Sequence, residues 1–80
     1  MNDFNEFRDK IDQIDEKLRQ LVRERMTLIK EIGQIKKEKN LKITDQNREQ
    51  EILEKAESNY EKAIFQKILE ESKKIQRGDC

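Results

Sequence analysis

The sequence predicts an all-α fold with three helices per chain, one long and two short, assembled as an intertwined helical homodimer. Three observations lead there. The first half of the chain repeats apolar residues at alternating steps of three and four, the signature of one helix face. The 80 residues contain no proline and two glycines, too few turn formers for a β-sandwich or barrel. A helix of the length this pattern demands, about 36 residues or roughly 54 Å, also far exceeds a compact globule of this size, with a radius of gyration of about 12 Å.

Helix 1 is expected over about residues 3–39. Its stripe is Phe4, Phe7, Ile11, Ile14, Leu18, Leu21, Leu28, Ile32 and Ile35, interrupted once. Asn2 or Asp3 is placed to cap its start. Glu6–Lys10 and Asp15–Arg19 stand at i,i+4 in the favourable order, each adding a few tenths of a kcal/mol. Asn40 suits the left-handed position that ends a helix. In the connection NLKITD, residues 40–45, Thr44 or Asp45 is the next N-cap and Ile43 is placed for a hydrophobic staple. Helix 2 is expected over about 46–57, with Ile52, Leu53 and Ala56 inward. Ser58-Asn59 is the break before helix 3, expected over about 60–77, with Ile64, Phe65, Ile68, Leu69 and Ile75 inward and Gly78 past its end.

Helices 2 and 3, roughly 18 and 27 Å long, cannot cover a 54 Å stripe. Left bare, the stripe is a large exposed apolar patch. A two-fold dimer removes it: the long helices pair and each short arm folds over the partner. Residues 1–80 are read as a single domain.

Composition excludes several functions. Lys plus Arg and Asp plus Glu are 18 each, so the formal charge is zero and gives no general attraction for nucleic acid or an anionic membrane. The longest apolar run is Ala63-Ile64-Phe65, too short to span a bilayer. MNDFNEFRDK has neither the basic nor the apolar region of a secretory signal. Cys80, the single cysteine, fits a reducing cytoplasm. Without histidine there is no Ser-His-Asp triad and no zinc site built on His or several Cys, and no glycine-rich nucleotide loop is present. The expectation is therefore a cytoplasmic protein that uses no metal and no cofactor.

The interruption of the stripe is Arg25. Counting by threes and fours places it on the seam, where an arginine is costly unless it meets an anion. Two readings stay open: a register-setting polar residue, as buried Asn can be in coiled coils, or an anion site. Helix 3 repeats the anomaly, since its inward stripe passes from Phe65 and Ile68 to Ser72 and then to Gln76, i,i+4 on one face. A polar end on an amphipathic helix accounts for Ser72, but Gln76 follows large apolar groups on the same face. Lys36 lies three turns beyond Arg25, Arg8 sits beside Phe7, and Arg48 and Glu49 open helix 2. Singly, each is an ordinary solvated charge. Together they suit a small dianion whose reaction needs positioning and electrostatics, with no nucleophile or metal cluster.

The stretch FRDKIDQIDEKLRQLVRERMTLIKEIGQIKKEKNLKITDQNREQEIL carries R-x-x-I-D-x-I-D-x-x-L, L-V-x-E-R, I-G-x-I-K and D-x-x-R-E-x-E-I-L in order. This ordered set resembles the all-α class of chorismate mutases, over residues 7–53 and again over about 64–76. The resemblance implies an intertwined dimer and an isomerase of aromatic amino acid biosynthesis, converting chorismate to prephenate without cofactor or covalent intermediate. It implies that Arg25 grips one substrate carboxylate and Arg8, from the partner chain, the other. Lys36 and Gln76 would donate to the ether oxygen. Glu49 would accept from the ring hydroxyl near the backbone N–H of Asp45. Arg48 and Ser72 would support the carboxylate contacts, and Ile32 and Leu69 would line the ring.

One departure stands out: the segment between Leu53 and Tyr60 is shorter than the family norm by roughly two helical turns. With a tight turn at Ser58-Asn59, Arg48 and Ser72 lie roughly 15 and 20 Å from it and can meet across antiparallel helices. If helices 2 and 3 fuse, Gln76 lies about 42 Å from Arg48 along one rod, and the site forms only by further exchange between chains or not at all; the short segment also leaves room for low activity or for dependence on a partner enzyme of the shikimate pathway. Two alternative functions remain: an isochorismate-pyruvate lyase on the same fold, and a non-catalytic helical regulatory module of a larger shikimate-pathway enzyme.

Overall fold

The computed structural model describes residues 3–78, so the candidate cap Asn2, the side chain of Asp3 and Cys80 lie outside the described residues. Within them the order is α1 (Asp3–Glu38), α2 (Gln46–Glu54) and α3 (Asn59–Gln76). Helix α1 alone gives the molecule its long dimension, in extents of 59 × 23 × 16 Å. The radius of gyration is 16.1 Å, against about 12 Å for a compact globule of this length. Helix α3 is the hub, in contact with both α1 and α2.

Each boundary has a local cause. Asn40 takes the left-handed conformation, φ 56°. Leu41 N–H then reaches back to the Lys36 carbonyl at 2.7 Å and Asn40 N–H to that of Lys37 at 3.3 Å, the Schellman pattern that closes α1. Of the two candidate caps for α2, Asp45 serves: its carboxylate accepts from Arg48 N–H at 3.1 Å.

Helix α2 stops at Glu54, three residues short of the expected Glu57. The Lys55 and Ala56 N–H groups tighten onto Ile52 and Leu53 carbonyls. Ser58, extended at φ −154°, caps α3 by accepting from Glu61 N–H at 3.1 Å. Glu61 reaches back to accept from Glu57 N–H at 3.4 Å. Ser58-x-x-Glu61 is thus a capping arrangement of the Ser/Glu type, and it outcompetes continuation of α2. The two helices do not fuse, and α3 begins at Asn59.

The C-terminal half of α1 has two faces. Toward α3 it turns Arg25, Ile29, Gly33 and Lys36, all buried or half-buried. That line is rotated from the predicted stripe, whose Phe7, Leu21 and Leu28 are 61%, 62% and 59% exposed within one chain. The short helices therefore leave the stripe bare. Gly33 has a specific reason to be glycine: an added Cβ would stand 3.0 Å from Gln76 Cα on α3. Two local pairings differ from expectation. Arg19 binds Glu16 at 3.0 Å rather than Asp15, and the Lys10 ammonium sits 5.9 Å from the centre of the Phe7 ring.

Candidate active site

The three helices and the 39–45 connection enclose a cavity of about 240 Å³. Nine of the ten residues predicted to meet the ligand line it: Arg25, Ile32 and Lys36 from α1, Asp45 before α2, Arg48 and Glu49 from α2, and Leu69, Ser72 and Gln76 from α3. The tight turn at Ser58 is what brings Ser72 and Gln76 there. Arg8 is the exception. It is exposed on α1, 17 residues before Arg25, which is about 25 Å along the helix.

Arg25 crosses from α1 to donate through Nη1 to Ser72 Oγ at 2.7 Å, and Ser72 Oγ donates onward to the Ile68 carbonyl at 2.6 Å. The buried hydroxyl therefore orients the guanidinium, whose other N–H donors remain for a carboxylate. Burial, and after it the charge of Arg48, pulls the Arg25 pKa below the ordinary guanidinium value. The cation is held where an anion would relieve it.

Lys36 Nζ is fixed by two acceptors, the Ile43 carbonyl at 2.8 Å and Gln76 Oε1 at 2.8 Å. An ammonium has three protons, so one stays free for a ligand. Gln76 turns its amide oxygen to Lys36, which leaves its NH₂ as a donor beside the same point. Ile43, expected as a staple, thus contributes its carbonyl and a wall of the cavity.

Arg48 reaches Glu51 at 3.4 Å with its side chain mostly in solvent. Glu49 binds Lys73 Nζ at 3.4 Å. Arg25, Lys36, Arg48 and Lys73 face the carboxylates of Asp45 and Glu49, so the lining carries two net positive charges, those a dianion requires. Sequence reasoning missed Lys73, the apolar walls Ile29, Ile43 and Ile52, and the close packing at Gly33. Gly33 had left a signal, since glycine inside a helical pattern marks a close approach. Lys73, on a chain that is 45% charged, had left none.

The sequence profile of the chorismate mutase type II family matches residues 7–77. The chain belongs to that family. It is 33% identical over 81 residues to the chorismate mutase of Methanocaldococcus jannaschii, covering 90% of this chain and 82% of that one. It is 47% identical over 55 residues to the bifunctional chorismate mutase/prephenate dehydratase of Aquifex aeolicus, covering 69% of this chain. The match spans only 15% of the Aquifex protein's length. Among solved structures, a conserved hypothetical protein from Pyrococcus furiosus superimposes with a TM-score of 0.88 at 42% identity, over 96% of this chain and 99% of that one. The chain has no helix, among the described residues, long and apolar enough to cross a membrane. Among them, too, no group of three or more metal-ligating side chains gathers.

Proposed function

We propose that this chain is a chorismate mutase, working as a cytoplasmic homodimer with two composite sites. The observation that carries the reading is the Lys36–Gln76 pair at 2.8 Å beside Arg25, inside a cavity with two surplus positive charges. In the reaction the ether C–O bond of chorismate breaks as a C–C bond forms within the same molecule. No atom or proton leaves, and no cofactor takes part. The barrier falls when the dianion is held in its folded form and the charge growing on the ether oxygen meets fixed donors.

In this scheme Arg25, steadied by Ser72, grips one carboxylate, with Arg48 beside it. Arg8 of the partner subunit supplies the other grip, since Arg8 of the same chain is about 25 Å away along α1. The third Lys36 proton and the Gln76 NH₂ meet the ether oxygen. Glu49 accepts from the ring hydroxyl near the Asp45 backbone, and Ile32 and Leu69 bound the ring. The apolar stripe from Phe4 to Leu21 gives the partner its surface, and Arg8 flanks it. The fusion with a prephenate dehydratase in the Aquifex relative supports a place beside the enzyme that consumes prephenate.

The test is the decay of chorismate absorbance with purified protein, with the product identified and isochorismate run alongside. Conversion to prephenate that falls at least about 10²-fold in Arg25→Ala is expected. A folded helical dimer that leaves chorismate untouched overturns the proposal. Release of pyruvate from isochorismate would instead assign a lyase.

A further inference from the structure

One cation in the cavity has no task in the scheme above. Lys73 stands on α3 next to Ser72, and its Nζ lies 3.4 Å from Glu49 Oε1 on α2. This pair differs from those on the surface. Arg19–Glu16 and Arg48–Glu51 are one turn apart on a single helix with side chains more than half exposed. Lys73 and Glu49 join two helices, at 28% and 25% exposure, and both line the cavity. Exposed pairs contribute little because solvent screens them and their side chains wander. A half-buried pair across two helices holds its geometry and keeps more of its charge interaction.

The two oxygens of Glu49 then have different surroundings. Oε1 is turned to Lys73, which leaves Oε2 to accept from a ligand hydroxyl. Without Lys73, the Glu49 carboxylate would face an incoming dianion uncompensated, and the lining would keep one surplus positive charge instead of two. We infer that Lys73 is a positioning residue for the substrate hydroxyl: it fixes Glu49 and cancels its charge, so that a carboxylate can serve in a site built for a dianion. The inference rests on the chorismate mutase reading of the cavity. It assigns a function to a residue that acts through Glu49 on binding, with no part in the bond changes.

Steady-state kinetics on the purified dimer tests it. The variants are Lys73→Met, Lys73→Arg, Glu49→Gln and the Lys73→Met/Glu49→Gln double, with Lys74→Met as control. Lys74 neighbours Lys73 and bonds Glu71 on the outside of α3, so it removes the same charge from the chain without touching the cavity. Lys73→Met is expected to raise KM for chorismate about tenfold, the weight of one weakened charge-assisted hydrogen bond. Its kcat should stay within about threefold, because the hydroxyl contact is equal in ground and transition states. The decline of kcat/KM with added salt should become shallower. Lys73→Arg should restore most of the lost KM, and Lys74→Met should match wild type.

In the Glu49→Gln background, Lys73→Met should have a much smaller effect. Circular dichroism confirms folding, and Lys73→Gln replaces the methionine variant if that one loses helix. A KM and salt response unchanged in Lys73→Met, with wild type active, overturns the role of Lys73 alone. So does an undiminished effect in the Glu49→Gln background. A wild-type protein inert toward chorismate overturns the functional reading, and this inference with it.

Discussion

Gly33→Ala tests whether the crossing of α1 and α3 sets the reactive geometry. The new methyl would stand 3.0 Å from Gln76 Cα and 3.4 Å from its Cβ and Cγ. Carbon atoms rest at about 3.5–4.0 Å, so the last turn of α3 must retreat by a few tenths of an ångström. Stability should fall by a moderate amount. Crowding of this kind costs about 1–3 kcal/mol, while alanine in place of an interior helical glycine returns about 1 kcal/mol. The net loss is about 0–2 kcal/mol, or up to roughly 15 °C in Tm for a domain of this size.

Turnover should fall as well. The Lys36–Gln76 contact is 2.8 Å, and the same retreat stretches it past about 3 Å. A misplacement of about 1 Å can cost 10²-fold, so a shift of a few tenths should lower kcat about 3- to 10-fold. KM should change less, because contacts to the ether oxygen strengthen chiefly in the transition state. Chorismate decay and thermal melting, run on the same samples, give both numbers. A kcat within twofold of wild type at a near-normal Tm would refute the reasoning: either the helices yield without moving Gln76, or Gln76 is remote from the reacting atoms.

Two further outcomes are expected. Arg8→Ala and Arg25→Ala should each be nearly inactive, yet unfolding and refolding them together in equal amounts should restore about a quarter of wild-type activity, since half the dimers are mixed and each has one intact site; no recovery would place Arg8 outside the site. The Glu71 carboxyl is held below the usual carboxylate range by hydrogen bonds from Lys74 and then Lys67, so its stabilisation is present above the unfolded value near 4.3 and drains as pH falls through the lower folded value. The melting temperatures of Glu71→Gln and wild type should therefore separate, modestly for so exposed a group, above the unfolded value and converge as pH falls through the lower folded one; a constant offset at all pH values would show that the carboxylate charge is not the cause.

The sequence revealed most where local chemistry decides alone. Asn40 and Asp45 set the ends of α1 and α2 through their own backbone angle or side chain. Helix 2 was read too long because Ser58-x-x-Glu61, a cap two turns beyond Ile52, was taken only as a break. Part of the candidate site was legible from the helix pattern, since Arg25 and Gln76 stand where apolar residues belong and such violations gather at functional positions; Lys36, Asp45, Arg48, Glu49 and Ser72 came from the family resemblance. The face Arg25 uses was not legible. Period alone puts it on the seam, whereas Arg25 in fact reaches α3, alongside Ile29, Gly33 and Lys36. Which of two adjacent stripes meets which helix depends on the rotation of α1 against α3, and that is set by the Gly33–Gln76 approach across 43 residues of sequence. Lys73 was hidden for a related reason, since its meaning comes only from Glu49 on another helix.

Two deficits of the single chain call for the same remedy. The first is physical: Phe4, Phe7, Ile14 and Leu21 are 74%, 61%, 62% and 62% exposed along the half of α1 that α3 does not reach. The second concerns the proposed site: Arg8 of the same chain lies about 25 Å from Arg25 along α1, so only a second copy can bring an Arg8 to it. Arg8 flanks the bare stripe, one residue after Phe7 and three before Ile11. A second copy packed on the stripe would bring its own Arg8 toward this chain, and two-fold symmetry would make the exchange reciprocal. In the proposed dimer, covering the apolar surface and completing the anion site are therefore one event. On this proposal α1, which its own short helices do not cover, would use its excess length to deliver Arg8 to the neighbour.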